Sequence, residues 1–507
     1  MPEVCAPVTT GDIPLHMGGA GIVGFDFGSS RKNLDSFLKN FESCFCCLDE
    51  MHRLKEIWQA FGVRSTSLAH NPELGNVLHY FDHKRYEHSI GVGRRAAYLA
   101  MNLGWNAYAV RVAAAVGYFH DIAVPSFCHI GERVLKAYGF EDFDHDLYSA
   151  FIVSQAHFKK DIFDNLGIRQ EDVVAALIAD SLPEKLPKFF GMREKLKDLG
   201  LPTDCVLDLE SLDLGLLDRW RPLSELVQHY SDIFDYIIRD THNSPPNILN
   251  RDKVNKWVEQ AQGVFGLDPF GNLTISNLEP IAKVLKALMN KEKQSALSIR
   301  TAWANQRLFY ALKSCGITER EIICGTDCAL LERIADEERT YFEDGIDRYF
   351  REAIRIKPTR NNSQSRGLSA LTHELTQKIA EYCESLQDRS LAWDKDIIIS
   401  STPPFNKHFT FTLTGDAPKQ LASQKHLEIE LNKHQDPRYQ GEPISSYLIR
   451  EKGDPMTVHF SVVGTQQISI AVKKKASGEL VDAVRAISLH LLQDPKFKHS
   501  YEEVSNP

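Results

Sequence analysis

His88 in the stretch RYEHSIGV, the adjacent His120 and Asp121 in GYFHDIA, and Asp232 in HYSDIFDYIIRD are residues of the types that bind a divalent metal. Imidazole nitrogen together with carboxylate oxygen makes a borderline donor set, suited to Mn, Fe, Co, Ni or Zn and tolerable for Mg. Successive residues on a helix point about 100° apart, so His120 and Asp121 can both flank an ion in front of their helix. His88 and Asp232 would join them from neighbouring helices. Two histidines and two carboxylates leave coordination positions open for water and a phosphate oxygen, as hydrolysis of a phosphoester requires. A bare His-Asp pair is a weak signal, since solvated helix ends produce it too. Here it closes the apolar run Val110 to Phe119, where polar groups need partners.

The elements that must position these residues are helices. From Leu34 to roughly Leu312 apolar residues recur at helical spacing, for example Val110, Ala113, Ala114, Gly117 and Tyr118, or Leu226, Tyr230, Ile233, Phe234 and Ile237. The stretch PTRNNSQSRG, Pro358 to Gly367, is polar and rich in turn formers and reads as a linker. Beyond it one helix is expected over Ala370 to Leu386. The period then changes to two at Ile397 to Ile399, His408 to Leu413, Met456 to Val463 and Gln467 to Val472, before a closing helix over Gly478 to Leu492. The expected fold is mainly α, with a smaller C-terminal α+β domain containing an antiparallel sheet. The expected organisation is an N-terminal arm over 1–45, a helical metallohydrolase domain with its extension over 46–357, a linker over 358–367 and the α+β domain over 368–507.

Composition bounds the partners. With 507 residues, 43% of them hydrophobic and 25% charged, the chain is an ordinary globular sequence with room for two or three domains. Its net charge of −9 argues against a surface that grips nucleic acid throughout, so no nucleic-acid partner is indicated. From Arg360 onward the chain is charge-balanced, which puts the net charge on the helical part, and Lys473 to Lys475 read as a solvated strand end. No apolar run is long enough to span a bilayer, and the N-terminus lacks both the basic start and the apolar core of a secretory signal. The expected location is the cytoplasm, or the nucleus of a host that has one. Ten cysteines are too few for a disulfide scaffold and are expected as reduced, buried thiols.

A wider pattern surrounds the four donors. In order along the chain stand Arg53 to Gly62 (RLKEIWQAFG), His83 to Val92 (HKRYEHSIGV), His120-Asp121, Phe127-Cys128-His129, His145 to Ser149 (HDLYS), Asp232 to Asp240 (DIFDYIIRD) and Gly325 to Leu331 (GTDCALL). This succession, over about residues 50 to 335, resembles the HD-domain deoxynucleoside triphosphate triphosphohydrolases, a family that includes bacterial dGTPases and the animal enzymes joining a sterile alpha motif to an HD domain. The resemblance implies an HD-domain helical core in which His88, His120, Asp121 and Asp232 ligate the metal. It implies that His145, supported by Glu132, is the general acid, and that Arg85 meets the phosphate nearest the sugar. Gln59, Tyr236 and Asp240 would recognise the 3′-hydroxyl side of the sugar, and His129 would approach the phosphate chain.

The implied activity splits a deoxynucleoside triphosphate into deoxynucleoside and triphosphate, with a nucleotide substrate and a homo-oligomeric assembly. Three features depart from the pattern: Val124 stands where a histidine is expected, Ile233 where a basic residue is expected, and the Arg, His and Tyr set expected before the GTD segment is not legible in Lys283 to Trp303. An HD phosphohydrolase for another nucleotide or phosphoester, such as a monophosphate or a nucleic-acid end, is therefore the alternative, together with a nucleotide-sensing protein that does not turn over.

Overall fold

The computed structural model describes residues 31–66, 70–71, 78–79, 83–179, 186–203, 214–242, 250–268, 271–294, 299–358, 368–386, 396–401, 405–414, 444–451, 456–464, 467–498 and 500–504. The expected linker, apart from Pro358, and residues 1–30 lie outside this set. Among the described residues no helix is long and apolar enough to cross a membrane.

Helix α1 (Arg31–Phe45) already belongs to the core, within the span expected as an arm. Leu34, Leu38, Phe41 and Phe45 form one apolar stripe, at most 2% exposed. Phe41 stacks on Tyr118 with ring centroids 4.7 Å apart, and Phe45 lies 5.4 Å from Phe119. After the short α2 (Asp49–Leu54) come the two helices that make the centre, α3 (Arg85–Asn102) and α4 (Ala107–Phe119). Asn106 caps α4 by accepting from the Ala109 N–H. Both helices bury small residues, Gly93, Ala96 and Ala97 on α3 and Ala113, Ala114 and Gly117 on α4, and their backbones meet at Gly93 and Gly117. A Cβ on Gly117 would stand 2.6 Å from the Gly93 Cα, so only glycine permits this backbone approach.

Helices α5 (His129–Ala137), α6 (His145–Val153) and α7 (Gln170–Ile178) come next, with Asp144 capping α6 through the Asp146 and Leu147 N–H groups. Helix α8 (Leu214–Glu225) runs into a wide helical turn, Leu226–Ser231, and then into α9 (Asp232–His242). Such a widened turn shifts the next residue away from its regular helical position, and here that residue is Asp232. Beyond α10 (Arg251–Gln262), the block expected as all-α contains a hairpin, β1 (Phe265–Leu267) and β2 (Leu273–Ile275). Helices α11 (Leu278–Gln294), α12 (Ile299–Ser314), α13 (Glu319–Cys324) and α14 (Asp327–Leu331) follow, and a further helix, Asp336–Asp344, ends the helical part.

The C-terminal part begins earlier than its sequence pattern suggests. Strand β3 (Phe350–Pro358), which precedes the expected linker, sits inside the α+β sheet. The further elements are α15 (Leu368–Ser385), β4 (Ile397–Ser401), β5 (Phe405–Leu413), β6 (Ile444–Glu451), β7 (Met456–Gly464), β8 (Ile468–Lys473), α16 (Gly478–Gln493) and β9 (Tyr501–Glu503). One sheet runs β9-β3-β8-β4, antiparallel throughout. Alternation sorts its side chains to two faces. Ile397, Ile399, Ile468, Ile470 and Val472 pack with Leu371 and Leu375 of α15 and Leu480 and Val484 of α16. Ile398 and Ala471 pack with Trp303 and Ala304 of α12. A five-stranded sheet, β1-β2-β5-β7-β6, joins the hairpin of the helical part to the C-terminal strands through a parallel β2–β5 pair, and a small antiparallel pair, His70–Asn71 with Leu78–His79, stands apart from both sheets. Cys47, Cys324 and Cys328 are exposed rather than buried, whereas Cys128 and Cys383 are buried as expected, and all are free thiols.

Candidate active site

The four expected donors converge at the ends and edges of α3, α4 and α9. His88 Nε2 lies 2.9 Å from Asp232 Oδ1 and 3.8 Å from Asp121 Oδ2. His120 Nε2 lies 3.5 Å from Asp121 Oδ2 and 3.9 Å from Asp232 Oδ1. The close α3–α4 pairing is what brings the two imidazole rings within 5.3 Å of each other. Both rings turn Nε2 inward because Nδ1 is engaged elsewhere. His120 Nδ1 donates to the Gly117 carbonyl at 2.8 Å, and His88 Nδ1 pairs with Asp235 Oδ2 at 3.0 Å.

Three of these donors, His88, His120 and Asp121, bring ligand atoms within 4.8 Å of one another and fit a divalent ion, whereas Asp232 approaches both imidazoles but stands outside that group. Ligands held at about 2.0–2.2 Å in tetrahedral or octahedral directions stand roughly 3–3.5 Å from one another, and the four separations, 2.9 to 3.9 Å, bracket that range. The charge on Asp121 agrees: burial favours its neutral form, yet Arg85, His120, His88 and His145 around it hold its carboxyl far below the ordinary range. Burial opposes protonation of His88, but the carboxylates of Asp232 and Asp235 that accept from its ring override this and raise its pKa to about 9 in the absence of an ion; ligation requires the neutral imidazole, so a bound ion must displace that proton. Asp232 keeps a side chain 27% exposed, so the centre opens to solvent on that side.

A second group adjoins the first. His145, the first residue of α6, has Nδ1 2.5 Å from Glu132 Oε1 and Nε2 3.8 Å from Asp121 Oδ1. Asp146 Oδ1 lies 3.3 Å from the same Nε2. Burial works against the imidazolium, but Asp146, Glu132 and Asp121 outweigh it and raise His145 to about 10. Glu132 is in turn held well below the usual carboxylate range by His145 and His129 against the effect of burial. His129 Nδ1 is 3.4 Å from Glu132 Oε2, and its side chain is 74% exposed at the start of α5.

Arg85 opens α3, donating from Nη1 to Asp121 Oδ2 at 2.5 Å and from Nε to Cys128 Sγ at 3.2 Å. It thus ties the donor set to the turn before α5. On another side, the Gln59 N–H donates to the His83 carbonyl, and His83 Nε2 lies 3.0 Å from Asp240 Oδ1. Gln59 Oε1 is buried with no hydrogen-bond partner among the described residues. Tyr236 is half-buried one turn before Asp240 on the same face of α9. Val124 and Ile233 are each 2% exposed and belong to the apolar core.

Several residues here escaped sequence reasoning. Asp235 is three residues after Asp232, a spacing that puts both on one side of α9 and was the available signal. Arg53 Nη2 donates to the Ile122 and Val124 carbonyls at 3.0 and 2.7 Å, holding the loop after Asp121, and nothing in its local sequence announces that. His83 and Asp327, whose carboxyl reaches Trp58 and Phe127, likewise stand in the segments that carry the resemblance, as Arg53 does, but received no role there.

No curated protein matches the chain. Residues 85–219 match the family model of the HD domain, a span that includes α3 through α7 with His88, His120, Asp121, Glu132 and His145, and that stops short of Asp232. The helical part of the chain is therefore similar to the HD domain over that span, which suggests a metal-dependent phosphohydrolase, and His88, His120 and Asp121 within it form a possible metal site.

Proposed function

We propose that the chain hydrolyses deoxynucleoside triphosphates to deoxynucleoside and triphosphate. The observation that carries the reading is the position of His145: its Nε2 lies 3.8 Å from Asp121 Oδ1 while Glu132 holds its Nδ1. A proton donor thus stands beside a metal-type donor set. A divalent ion held by His88, His120, Asp121 and Asp232 supplies Lewis acidity and a water acidic enough to act near neutral pH. Water oxygen joins the α-phosphorus as the bond to the sugar's 5′ oxygen breaks, His145 gives its proton to that departing oxygen, and the proton lost by the water passes to solvent, from which His145 is reprotonated. Glu132 keeps the imidazole protonated and oriented. Arg85 presents a guanidinium fork suited to the phosphate nearest the sugar, and His129, exposed at the mouth, suits the phosphates beyond. The buried, unpartnered Gln59 Oε1 can accept from a 3′-hydroxyl, with Asp240 and Tyr236 on the same side.

The apolar burial of Val124 and Ile233 favours a second reading, a nucleotide or phosphoester that needs fewer phosphate contacts. A product assay separates the two. The purified chain is incubated with a panel of nucleotides and with Mg, Mn or Co, using Asp121→Ala as the blank. Metal-dependent release of intact triphosphate supports the first reading, inorganic phosphate from monophosphates supports the second, and saturable binding without any product means a nucleotide sensor.

A further inference from the structure

Phe127 and Cys128, with φ of 58° and 52°, are the only non-glycine residues at positive φ among the described residues, and they are consecutive. Side chains disfavour this region, so the surroundings must impose it. The two residues form the turn from which α5 starts, and α5 carries His129 and Glu132. The turn is pressed close to its helix: a Cβ on Gly131 would stand 2.1 Å from the Ser126 carbonyl oxygen.

The group that meets this turn comes from 200 residues further along the chain. Asp327 is fully buried, and its Oδ1 accepts the Phe127 N–H at 2.6 Å. Its Oδ2 accepts the Trp58 N–H at 2.9 Å. Trp58 precedes Gln59 on the segment that pairs with His83 to Arg85, where the Arg85 N–H donates to the Ile57 carbonyl. One carboxyl therefore joins the turn that starts α5 to the segment carrying Gln59. The Cys128 thiol adds a weaker tie to the Trp58 carbonyl, and the Ser126 N–H donates to the Ile322 carbonyl on α13. Capping its own short helix does not explain Asp327, since Thr326 is the N-cap and accepts from the Ala329 N–H. Burial raises the Asp327 carboxyl to about 7 against the effect of its two backbone donors, so the group is costly to keep there.

We propose that Asp327 is a positioning residue, whose two backbone hydrogen bonds hold the Phe127-Cys128 turn against the Trp58-Gln59 segment and thereby set Glu132, and through it His145, for proton transfer. The catalytic consequence rests on the function proposed above; the clamp itself does not.

The test uses the full chain as wild type, Asp327→Asn, Glu132→Gln and the double variant. Hydrogen exchange reads the clamp without any substrate. Asp327→Asn is expected to speed exchange about tenfold over residues 56–60 and 124–130, while the α3 amides beyond its first turn and the Mn²⁺ content stay as in wild type. Unchanged exchange in those two segments, or an equal rise everywhere, overturns the clamp.

Turnover then reads its consequence. Asp327→Asn is expected to lower kcat about 10²-fold with KM changed far less, and to cost little further in the Glu132→Gln background. Additive losses overturn action through Glu132. Wild-type inactivity across the whole substrate panel refutes the proposed reaction and leaves the exchange result to decide the clamp. Should Asp327→Asn fail to fold, Asp327→Glu, which keeps the carboxyl but overreaches by one methylene, carries the same readouts.

Discussion

His88 and His120 stand on α3 and at the end of α4, two helices whose backbones touch at Gly93 and Gly117, whereas His129 and Glu132 stand on a helix launched from a left-handed turn held by distant groups. The first half of the site is buried and its geometry stems from close packing of small residues. The second half is more open, with His129 largely in solvent, and its geometry stems from a few hydrogen bonds of long sequence separation. A packed helix pair fixes donor positions as part of its own stability. A turn clamped by side chains can be loosened without unfolding anything else, so the two halves should fail differently when altered.

The largest expected effect comes from the packed half. His120→Ala or Asp121→Ala removes a donor from the shared set, and both metal content and turnover are expected to vanish; a variant that keeps full metal by elemental analysis breaks the assignment. Chelation of the wild-type protein should give the same silent enzyme, restored by adding Mn²⁺ back. The other half is expected to respond less completely. His145→Ala should retain its metal while turnover falls about 10²- to 10⁴-fold, the range of a lost general acid, and undiminished turnover would remove His145 from that role.

Gly117→Ala sharpens the comparison further. Its Cβ has no room against Gly93, so α3 and α4 must separate, at a cost of about 1–3 kcal/mol in unfolding free energy, and metal affinity is expected to drop with it. Denaturant titration and metal titration of the same variant check both. The smallest effect on chemistry belongs to the C-terminal sheet. Ile470→Ala empties a fully buried position between that sheet and α15 and α16 and should cost about 2–5 kcal/mol of stability. Turnover per folded molecule should hold, and a parallel loss would show that the sheet supports the site directly.

Much of the fold was readable because its signals are periodic. Helices and strands whose apolar residues repeat every 3.6 or 2 positions emerged where expected, including α15, β4, β8 and α16. Strand β3 did not, since FREAIRIKP alternates apolar with charged residues too weakly to stand out, and only pairing with β8 and β9 makes it a strand. The hairpin β1–β2 was hidden for a similar reason: it is short, and β5 arrives beside it from more than a hundred residues downstream.

While Glu132 and His145 entered through the family resemblance, the sequence by itself supplied the candidate donor types, His88, His120, Asp121 and Asp232, and the helical elements that carry them. These are local properties, written in side-chain identity and periodicity. Tertiary structure alone decided that Asp235 engages His88, that Arg53 holds the loop after Asp121, that Val124 and Ile233 turn into the core, and that Asp327 reaches the turn before His129. Such contacts join residues separated by up to two hundred positions or more, and no local pattern encodes which backbone N–H a distant carboxyl will meet once the helices have packed.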